Sequence, residues 1–473
     1  MIVNPPRIII AALRGGSGKT ILSLGLTSVW KGIGYRVAPF KKGPDFIDSG
    51  WLSFAAGRPC YNLDPFLMNP GQIVASLLRN SADADISVIE GNRGLFDGLD
   101  IDGCCSTGEL GKILKSPVLL VVDVTMATRT VAALVMGCQQ FDPELKISGV
   151  ILNRVAGHRQ ESLTRNAVEQ YCGLPVVGAV PKLRQNIFPE RHMGLVPHLE
   201  TDYAEKAVAW TRSIVEKHLD LKTLWNLAHG AEPLDTPSAE KTDGEALIFP
   251  RPAPRIGVIR DKSFWFYYPE NLDHLRRLGA HLLDINSLED KGLPAIDALY
   301  IGGGFPETQA QVLSDNAAFR DSLKKAIEGG LLVYAECGGL MYLGENLVVE
   351  GKEFPMVGAL PLSLILEKKP QGHGYTVLEV TDKNPFYSVG DSLKGHEFHY
   401  SKAVMHPSSD TRAVFKVIRG EGLDGQKDGL CRKNVLATYT HVHAGGNRQW
   451  AERFLKAVRV MKNNFCLNSK KKG

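Results

Sequence analysis

The sequence predicts an α/β protein in which a P-loop-type parallel-sheet domain is followed, after one linker, by a second α/β domain. Three observations indicate this. Short runs of Ile, Leu and Val recur about a helix length apart in the first half of the 473-residue chain. A glycine-rich turn ending in Gly-Lys-Thr follows the first run, and an apolar run far downstream leads into Cys-Gly-Gly. The length suits two or three domains.

The first half contains six predicted strands, at 8–12, 35–40, 86–90, 118–123, 147–152 and 176–180. Apolar strands that alternate with helical stretches are typical of βα units, whose parallel sheet is buried on both faces. Between 232 and 254 the chain becomes polar and rich in proline, which predicts a linker between domains at 1–231 and 255–465. Beyond it, strands are predicted at 255–259, 298–301, 331–335 and 435–439.

Composition excludes several classes of protein. The formal net charge is +4, and three of these charges come from Lys470, Lys471 and Lys472, so the rest of the chain is nearly neutral and binding to nucleic acid is not indicated. Eight cysteines without a Cys-x-x-Cys pair fit a reduced cytoplasmic protein. Asp123 and Arg129 interrupt the most apolar segment, so we expect no membrane span.

The turn after the first strand has the residues that a phosphate loop needs. Gly15, Gly16 and Gly18 allow backbone N–H groups to converge on phosphate oxygens. Lys19 supplies positive charge and Thr20 a hydroxyl for Mg²⁺, with a helix following. The turn therefore predicts ATP binding.

Polar residues at the ends of other predicted strands fit the same site. Glu90 is the last residue of a predicted strand. Because the carboxyl ends of parallel strands meet at one edge of a sheet, we expect Glu90 to lie beside the loop as a metal ligand. Asp45, Asp48 and Asp97 follow strands too, and fit either metal or substrate contacts or turn formation. Asn153 is a candidate contact to the nucleotide base.

Cys337 is predicted to be a nucleophile because an apolar strand delivers it onto a tight turn. The following Gly338 permits a strained elbow that aims backbone N–H groups at an oxyanion. The glycine loop at 302–304 offers a second N–H donor. A thiol also needs a base, and two clusters offer one, His399 in 395–400 and His441 with His443.

Several segments resemble a known family. Ala-Glu-Cys-Gly-Gly-Leu-Met-Tyr at 335–342 and the loop at 302–307 resemble class I glutamine amidotransferases of the cobyric-acid and cobyrinate branch. The segments 43–48, 90–98, 266–269 and 395–401 resemble the cobyrinate a,c-diamide synthase family in particular. The first domain is similar to the amidoligase domain of dethiobiotin synthetase. The resemblance covers nearly the whole chain in family order.

This resemblance implies that a tetrapyrrole, ATP, L-glutamine and Mg²⁺ meet on one enzyme, which amidates the a and c carboxylates of cobyrinate through an acyl phosphate in cobalamin biosynthesis. The resemblance is also compatible with a homodimer. The residues implied are Cys337 and His441 for catalysis, with support from His443 or His399; Gly303, Gly304 and Gly338 for the oxyanion and glutamine; Gly15, Gly16, Gly18, Lys19, Thr20 and Asn153 for ATP; Thr20, Glu90 and Asp45 for the metal; and Asp48, Asp97 and Arg93 for the substrate.

Two departures from the family pattern leave alternatives open. His443 stands where the triad glutamate is expected, two residues after His441, so the third triad member is undetermined. Arg93 stands where small or apolar residues are expected, which leaves room for sirohaem or nickel-sirohydrochlorin as the substrate. The number and order of amidations, the oligomeric state and the choice among the three histidines also stay open.

Two other classes share part of the pattern. The phosphate loop of this chain has Leu13 where the usual pattern has glycine, and partition-type regulatory ATPases have similar loops. Such an ATPase would need no cysteine elbow. A CTP-synthase-like ligase would combine ATP-dependent activation with glutamine hydrolysis. The segments 43–48 and 395–401 of this chain do not resemble that class.

Overall fold

The computed structural model describes residues 2–183, 190–191, 194–201, 203–237 and 253–470. The chain divides into two compact units, Met1–Glu240 and Lys241–Gly473. Most of the predicted linker, 238–252, lies outside the described residues. The domain limits 1–231 and 255–465 therefore stay a prediction, and each unit is described by itself.

Unit 1 contains eleven described strands and eight described α-helices, with a 3₁₀ turn at His198–Glu200. The strands are β1 (Ile2–Val3), β2 (Arg7–Ala12), β3 (Val37–Lys42), β4 (Tyr61–Leu63), β5 (Ile86–Glu90), β6 (Val118–Asp123), β7 (Ile147–Val155), β8 (Val176–Pro181), β9 (Glu190–Arg191), β10 (Gly194–Leu195) and β11 (Leu234–Asp235). The helices are α1 (Lys19–Ile33), α2 (Ile47–Ala56), α3 (Pro70–Asn80), α4 (Thr107–Ile113), α5 (Thr130–Phe141), α6 (His158–Cys172), α7 (Ala204–His218) and α8 (Leu221–His229).

The core of unit 1 is a seven-stranded parallel sheet in the order β4-β3-β5-β2-β6-β7-β8. Every residue of β2, β3 and β5 is buried, as expected for a sheet that helices cover on both faces. The six strands predicted in this half are confirmed, and those at 86–90 and 118–123 have the predicted limits. Because β5, β2 and β6 are neighbours, the residues after their carboxyl ends lie at one edge of the sheet.

The described part of unit 2 contains fourteen strands and five α-helices, with a 3₁₀ turn at Pro306–Gln309. The strands are β12 (Arg255–Ile259), β13 (His281–Ile285), β14 (Ala298–Ile301), β15 (Leu332–Glu336), β16 (Asn346–Val349), β17 (Lys352–Pro355), β18 (Leu362–Leu366), β19 (Gly372–Val380), β20 (Ser392–His399), β21 (Ser401–Met405), β22 (Thr411–Arg419), β23 (Lys427–Arg432), β24 (Val435–Thr438) and β25 (His441–Val442). The helices are α9 (Pro269–Arg277), α10 (Ala310–Asp315), α11 (Ala317–Glu328), α12 (Gly338–Leu343) and α13 (Gln449–Lys470).

The main sheet of unit 2 has ten strands in the order β13-β12-β14-β15-β24-β23-β22-β19-β20-β25. The strands from β13 to β24 pair in parallel, and the remaining pairs are antiparallel. A second sheet has the order β17-β16-β18-β21. The four strands predicted from apolar runs in this half are confirmed, whereas the sequence did not predict the antiparallel strands.

The antiparallel part of this sheet curls back on itself. Only Tyr439 and Thr440 separate β24 from β25, yet β25 pairs with β20 at the far end of the strand order. The register of that pairing places His441 opposite His396. The curl therefore brings residues of β20 close to the chain that leaves β24.

None of the helices in the part of the chain that the structure describes is long and apolar enough to cross a membrane.

We expect Gly25→Ala to destabilise unit 1. A Cβ atom at Gly25 in α1 would lie 2.6 Å from the backbone oxygen of Thr211 in α7, so the two helices would have to move apart. Overpacking of this kind costs about 1–3 kcal/mol. Gly32→Ala in the same helix is the matched control, because its Cβ would meet only the flexible Arg212 side chain. Urea denaturation of both variants should show a lower midpoint for Gly25→Ala, and equal midpoints would contradict this helix packing.

Candidate functional site

The glycine-rich turn of unit 1 links β2 to α1 and contacts a residue from β7. Gly18 has φ +94°, a conformation that favours glycine, and it caps α1. The side chain of Asn153 donates from Nδ2 to the carbonyl oxygen of Ser17 at 2.8 Å. A Cβ at Gly18 would lie 2.5 Å from that same nitrogen. Asn153 therefore lies directly against the turn.

Lys19 begins α1 and turns back over the loop. Its Nζ donates to the carbonyl oxygens of Arg93 at 2.8 Å and Arg14 at 3.3 Å. Burial, with Lys41 as a second cause, lowers the pKa of Lys19 below its ordinary value. Arg93 has φ +50°, a strained conformation for a side chain of this size. The loop thus holds a desolvated cation whose hydrogen-bond partners are backbone oxygens.

Glu90 lies at the end of β5 as predicted, beside Thr20. The Thr20 hydroxyl donates to Glu90 Oε1 at 2.7 Å. The other carboxylate oxygen, Oε2, is buried and has no hydrogen-bond partner. Burial raises the pKa of Glu90, although the charge of Lys41 works against it. Mg²⁺ prefers oxygen ligands, and the Thr20 hydroxyl together with the unpartnered Glu90 Oε2 offers two of them.

Sequence reasoning missed Lys41, which is buried at the centre of a charge cluster. Its Nζ is 2.6 Å from Asp48, 2.9 Å from Glu90 and 3.7 Å from Asp45. Burial alone would lower the pKa of Lys41, but these carboxylates outweigh it and raise the pKa well above its ordinary value. The signal available was the pair Lys41 and Lys42 at the end of an otherwise apolar strand.

The predicted acidic residues differ in their environments. Asp48 is ion-paired with Lys41, which overcomes the effect of burial and lowers the pKa of Asp48. Burial and the charge of Asp48 raise the pKa of Asp45 to about 7, and Asp45 Oδ1 accepts a hydrogen bond from Asp48 N. Asp97 Oδ2 accepts from the backbone N–H of Gly94 at 2.8 Å, so it closes a turn.

These residues surround a cavity of about 650 Å³ in unit 1. The predicted residues that line it are Gly15, Gly16, Gly18, Lys19, Thr20, Asp48, Glu90, Arg93 and Asn153. Asp45 and Asp97 are not among the lining residues. The structure therefore brings the glycine loop, Lys19, Thr20, Glu90 and Asn153 together in one cavity, with Lys41 and Arg154 in addition, whereas the predicted metal contact Asp45 lies outside its lining.

Arg154 is held at the cavity by Asp123, which ends β6. Its guanidinium lies 2.8 Å from Asp123 and donates to the carbonyl oxygen of Gly16 at 3.0 Å. Arg14 contacts the same carboxylate at 2.8 Å. Against the effect of burial, hydrogen bonds from Thr125 and the two arginines lower the pKa of Asp123 to about 2. Both arginines therefore keep their counter-charge throughout the physiological pH range.

In unit 2, Cys337 forms the predicted elbow between β15 and α12. Its φ of +46° is unusual for a residue other than glycine. Its backbone N–H donates to the carbonyl oxygen of Thr438 at 2.7 Å, and Sγ lies 3.8 Å from the carbonyl oxygen of Phe398. Burial, followed by the charge of Glu307, raises the pKa of the Cys337 thiol above its ordinary value. Burial therefore disfavours the thiolate, which is the nucleophilic form, so a thiol in this position needs a neighbouring base.

The glycine loop after β14 packs between the elbow and His441. A Cβ at Gly338 would lie 3.0 Å from the backbone nitrogen of Gly304, and one at Gly303 would lie 2.3 Å from His441 Cε1. Gly304 has φ +155°, and its Cβ would clash with the backbone of Ser263 at 1.9 Å. Only glycine fits at these contacts, which bring backbone N–H groups of both segments together.

His441 is buried and faces Glu336, the residue directly before the nucleophile. His441 Nδ1 lies 3.4 Å from Glu336 Oε2. The imidazole also stacks on that of His396, with ring centroids 4.9 Å apart. Sequence reasoning missed both Glu336 and His396. The signal for Glu336 was a carboxylate at the end of a buried strand, and that for His396 was the histidine-rich segment 395–400.

The two other candidate histidines have different partners. His443 Nε2 lies 3.4 Å from Glu270 Oε1, and His443 Nδ1 accepts from the backbone N–H of Gly445. His399 is buried inside unit 2, where its ring stacks on Tyr439 with centroids 3.6 Å apart. The assignment of one of the three as the base stays a prediction, and the contacts of His441 with Glu336 and the glycine loop favour His441.

Two family models match the chain. The CobQ/CobB/MinD/ParA nucleotide binding domain matches residues 8–196, which include the Gly-Lys-Thr loop. The CobB/CobQ-like glutamine amidotransferase domain matches residues 255–449, which include Cys337 and His441.

Full-length relatives decide the family. The cobyrinate a,c-diamide synthase of Magnetococcus marinus is 43% identical over 449 residues, covering 94% of this chain and 96% of the relative. That of Archaeoglobus fulgidus is 42% identical over 452 residues, covering 95% and 97%. The chain belongs to the cobyrinate a,c-diamide synthase family. The family resemblance and the α/β fold class predicted from the sequence are confirmed, and the chain is a glutamine-hydrolysing ligase.

We expect Gly303→Ala to impair the glutaminase centre of this family member selectively. The new methyl group would collide with His441 at 2.3 Å and displace its ring. A misplacement of about 1 Å can cost about 100-fold in rate. Gly292→Ala in the same unit is the control, because its Cβ would meet only the Ser322 side chain, at 3.1 Å. Glutamate release from glutamine should fall in Gly303→Ala alone, and a normal rate would contradict the close contact.

Proposed function

We propose that this chain converts the a and c side-chain carboxylates of cobyrinate to amides in cobalamin biosynthesis, using ATP and glutamine. The observation that carries the proposal is full-length identity of 36–43% to relatives named cobyrinate a,c-diamide synthase. The two sites support it, because one chain combines a phosphate-loop cavity with a cysteine elbow.

The cavity of unit 1 activates the substrate. A carboxylate is a poor electrophile, so a substrate carboxylate oxygen first attacks the γ-phosphorus of ATP and ADP leaves, which produces an acyl phosphate. Lys19 and the backbone N–H groups of the glycine loop stabilise the charge that develops on the transferred phosphoryl group. Asn153 contacts the nucleotide base, and Arg93 pairs with a substrate carboxylate. Asp48 is an anion paired with Lys41, so it contacts a hydrogen-bond donor of the substrate rather than a carboxylate.

Thr20 and Glu90 are the residues that would hold Mg²⁺, since Glu90 Oε2 is buried and has no hydrogen-bond partner. Bound there, the ion would neutralise charge on the ATP phosphates. Asp45 does not line the cavity, and it joins the site through the contact with Lys41 that it shares with Asp48. The Lys41 ammonium keeps the carboxylates of Asp48 and Glu90 in place at the cavity.

Unit 2 supplies the nitrogen. His441 removes the Cys337 thiol proton, and Sγ attacks the carboxamide carbon of glutamine, while Gly338 and the loop Gly303–Gly304 stabilise the oxyanion through backbone N–H groups. The intermediate collapses with the proton from His441 and releases ammonia. Water hydrolyses the thioester to glutamate. Ammonia then attacks the acyl phosphate, and phosphate leaves as the amide forms.

Arg93 is the feature that favours a second candidate substrate. Arg93 lines the cavity, and the family pattern has a small or apolar residue at this position. The second candidate substrate is therefore sirohaem or nickel-sirohydrochlorin, amidated by the same reaction. A partition-type ATPase is not supported, because the amidotransferase domain at 255–449 would have no role in it.

A substrate panel tests the proposal. The purified chain is incubated with ATP, Mg²⁺, glutamine and either cobyrinate, sirohydrochlorin, nickel-sirohydrochlorin or sirohaem, and products are read by mass spectrometry. We expect two exchanges of hydroxyl for amino groups on cobyrinate. Amidation of another tetrapyrrole alone would reassign the substrate, and no amidation of any of them would contradict the proposal.

Cys337→Ala should abolish glutamine-dependent amidation and leave ammonium-dependent amidation near the wild-type rate, because activation by ATP takes place in unit 1. Cys431→Ala, which removes another buried thiol of unit 2, is the control and should retain both activities. Product formation is followed with glutamine and with ammonium chloride. Loss of both activities in a folded Cys337→Ala protein would show that the two centres do not divide the reaction as proposed.

Lys19→Ala should remove amidation with either nitrogen source, by at least about 100-fold, because the developing phosphoryl charge loses its cation. Lys31→Ala, at the exposed end of the same helix, should be neutral. Glu90→Gln should behave like Lys19→Ala and raise the Mg²⁺ concentration required for half-maximal rate. Retained ammonium-dependent synthesis in Lys19→Ala would rule out the phosphate-loop assignment.

A further inference from the structure

Glu336 has three polar contacts in the glutaminase site, all of them buried. Its Oε2 lies 3.4 Å from His441 Nδ1 and accepts a hydrogen bond from the Tyr300 hydroxyl at 3.1 Å. Its Oε1 accepts from the backbone N–H of Val442 at 3.2 Å. The residue as a whole is 1% exposed. One carboxylate thus contacts both the ring and the following backbone of the predicted base.

We propose that Glu336 is the residue that positions His441, replacing the triad acid that this chain lacks two residues after the histidine. The proposal rests on the function proposed above for unit 2, in which His441 is the base for Cys337. In this arrangement the acid comes from the residue before the nucleophile, on β15, rather than from the strand of the histidine.

His443, which stands at the expected position of the acid, has other partners. Its Nε2 faces Glu270 at 3.4 Å, and its Nδ1 accepts from Gly445 N at 3.0 Å. Its ring packs edge-on against Tyr268, with centroids 4.5 Å apart. Both ring nitrogens of His443 are therefore directed to groups other than His441.

Glu336 suits the role chemically. A carboxylate beside Nδ1 favours the tautomer with the proton on that nitrogen, so that Nε2 can accept the thiol proton. Once His441 is protonated, the carboxylate stabilises the imidazolium, and the effect is strong because both side chains are buried. Glu336 contacts neither the thiol nor glutamine in this scheme and acts only through His441.

Asn271 in α9 also holds the segment of β25 and the two residues after it. Its Oδ1 accepts from Ala444 N at 2.7 Å, and its Nδ2 donates to the carbonyl oxygen of Val442 at 2.7 Å. Nδ2 also lies 3.3 Å from the Tyr300 hydroxyl, which contacts Glu336. β25 is thus fixed by two side chains, and the His441 ring is held at a set distance from the carboxylate.

Glu336→Gln tests the proposal, because it keeps the shape of the side chain and removes its charge. We expect kcat for glutamine hydrolysis to fall about 100-fold, with KM for glutamine and ammonium-dependent amidation unchanged. Glu270→Gln is the matched control, since Glu270 faces His443 at the same distance, and its kcat should stay near wild type. A kcat for Glu336→Gln equal to that of Glu270→Gln would overturn the proposal.

A double variant separates positioning from a merely structural role. If Glu336 acts through His441, Glu336→Gln combined with His441→Ala should hydrolyse glutamine no more slowly than His441→Ala alone. A further, multiplicative loss would overturn the proposal. Normal glutamine hydrolysis in Cys337→Ala or His441→Ala would instead overturn the proposed function of unit 2, so the two failures are distinguishable.

Thermal unfolding compared with that of the wild type shows whether Glu336→Gln is folded, because ammonium-dependent amidation reports on unit 1 alone. If unit 2 is not folded, Tyr300→Phe takes its place, because it removes only the hydroxyl that donates to Glu336 Oε2. Tyr300→Phe should lower kcat for glutamine several-fold with ammonium use intact. An unchanged kcat in Tyr300→Phe would overturn the proposal.

Discussion

The parallel pairing of β15 with β24 is the interaction on which the glutaminase centre depends. The pairing continues one residue past β15, where Cys337 N–H donates to the carbonyl oxygen of Thr438 at 2.7 Å. The nucleophile is thereby held beside the chain that runs on to His441. Because these backbone groups are buried, breaking a bond would leave unsatisfied polar atoms, which is costly. Main-chain hydrogen bonds therefore fix the position of the Cys337 backbone relative to the segment that leads to His441.

Close contacts between the elbow at Cys337, the glycine loop at 302–304 and their neighbours leave room only for glycine at several positions. Gly338 packs on Gly304, Gly304 on Ser263, and Gly303 on the ring of His441. A side chain at any of these positions would separate the elbow from the loop or from the histidine. Glycine is required at these positions by contact rather than by local flexibility alone, and the result is a set of N–H donors beside a buried thiol.

Unit 1 organises its site with buried charge. Buried Lys41 pairs with buried Glu90 and with the partly buried Asp45 and Asp48, and the desolvation cost of the buried charges offsets much of their attraction. Such a cluster contributes little net stability, but it fixes the directions of Asp48 and Glu90 at the cavity. Both units thus gather their candidate site residues at the carboxyl ends of parallel strands, one with buried charge and the other with backbone contacts.

The sequence alone determined the features whose cause is local. Apolar runs specified strands such as β5, β6, β12 and β14 with correct limits, and residue order around Lys19 and Cys337 identified a phosphate loop and a thiol elbow. The tertiary structure alone decided which distant side chains meet. Glu336 and His441 are 105 positions apart, and Lys41 and Glu90 are 49 apart. Contacts of this kind depend on strand order and on the curl of β25 onto β20, and neither leaves a periodic signal in the sequence.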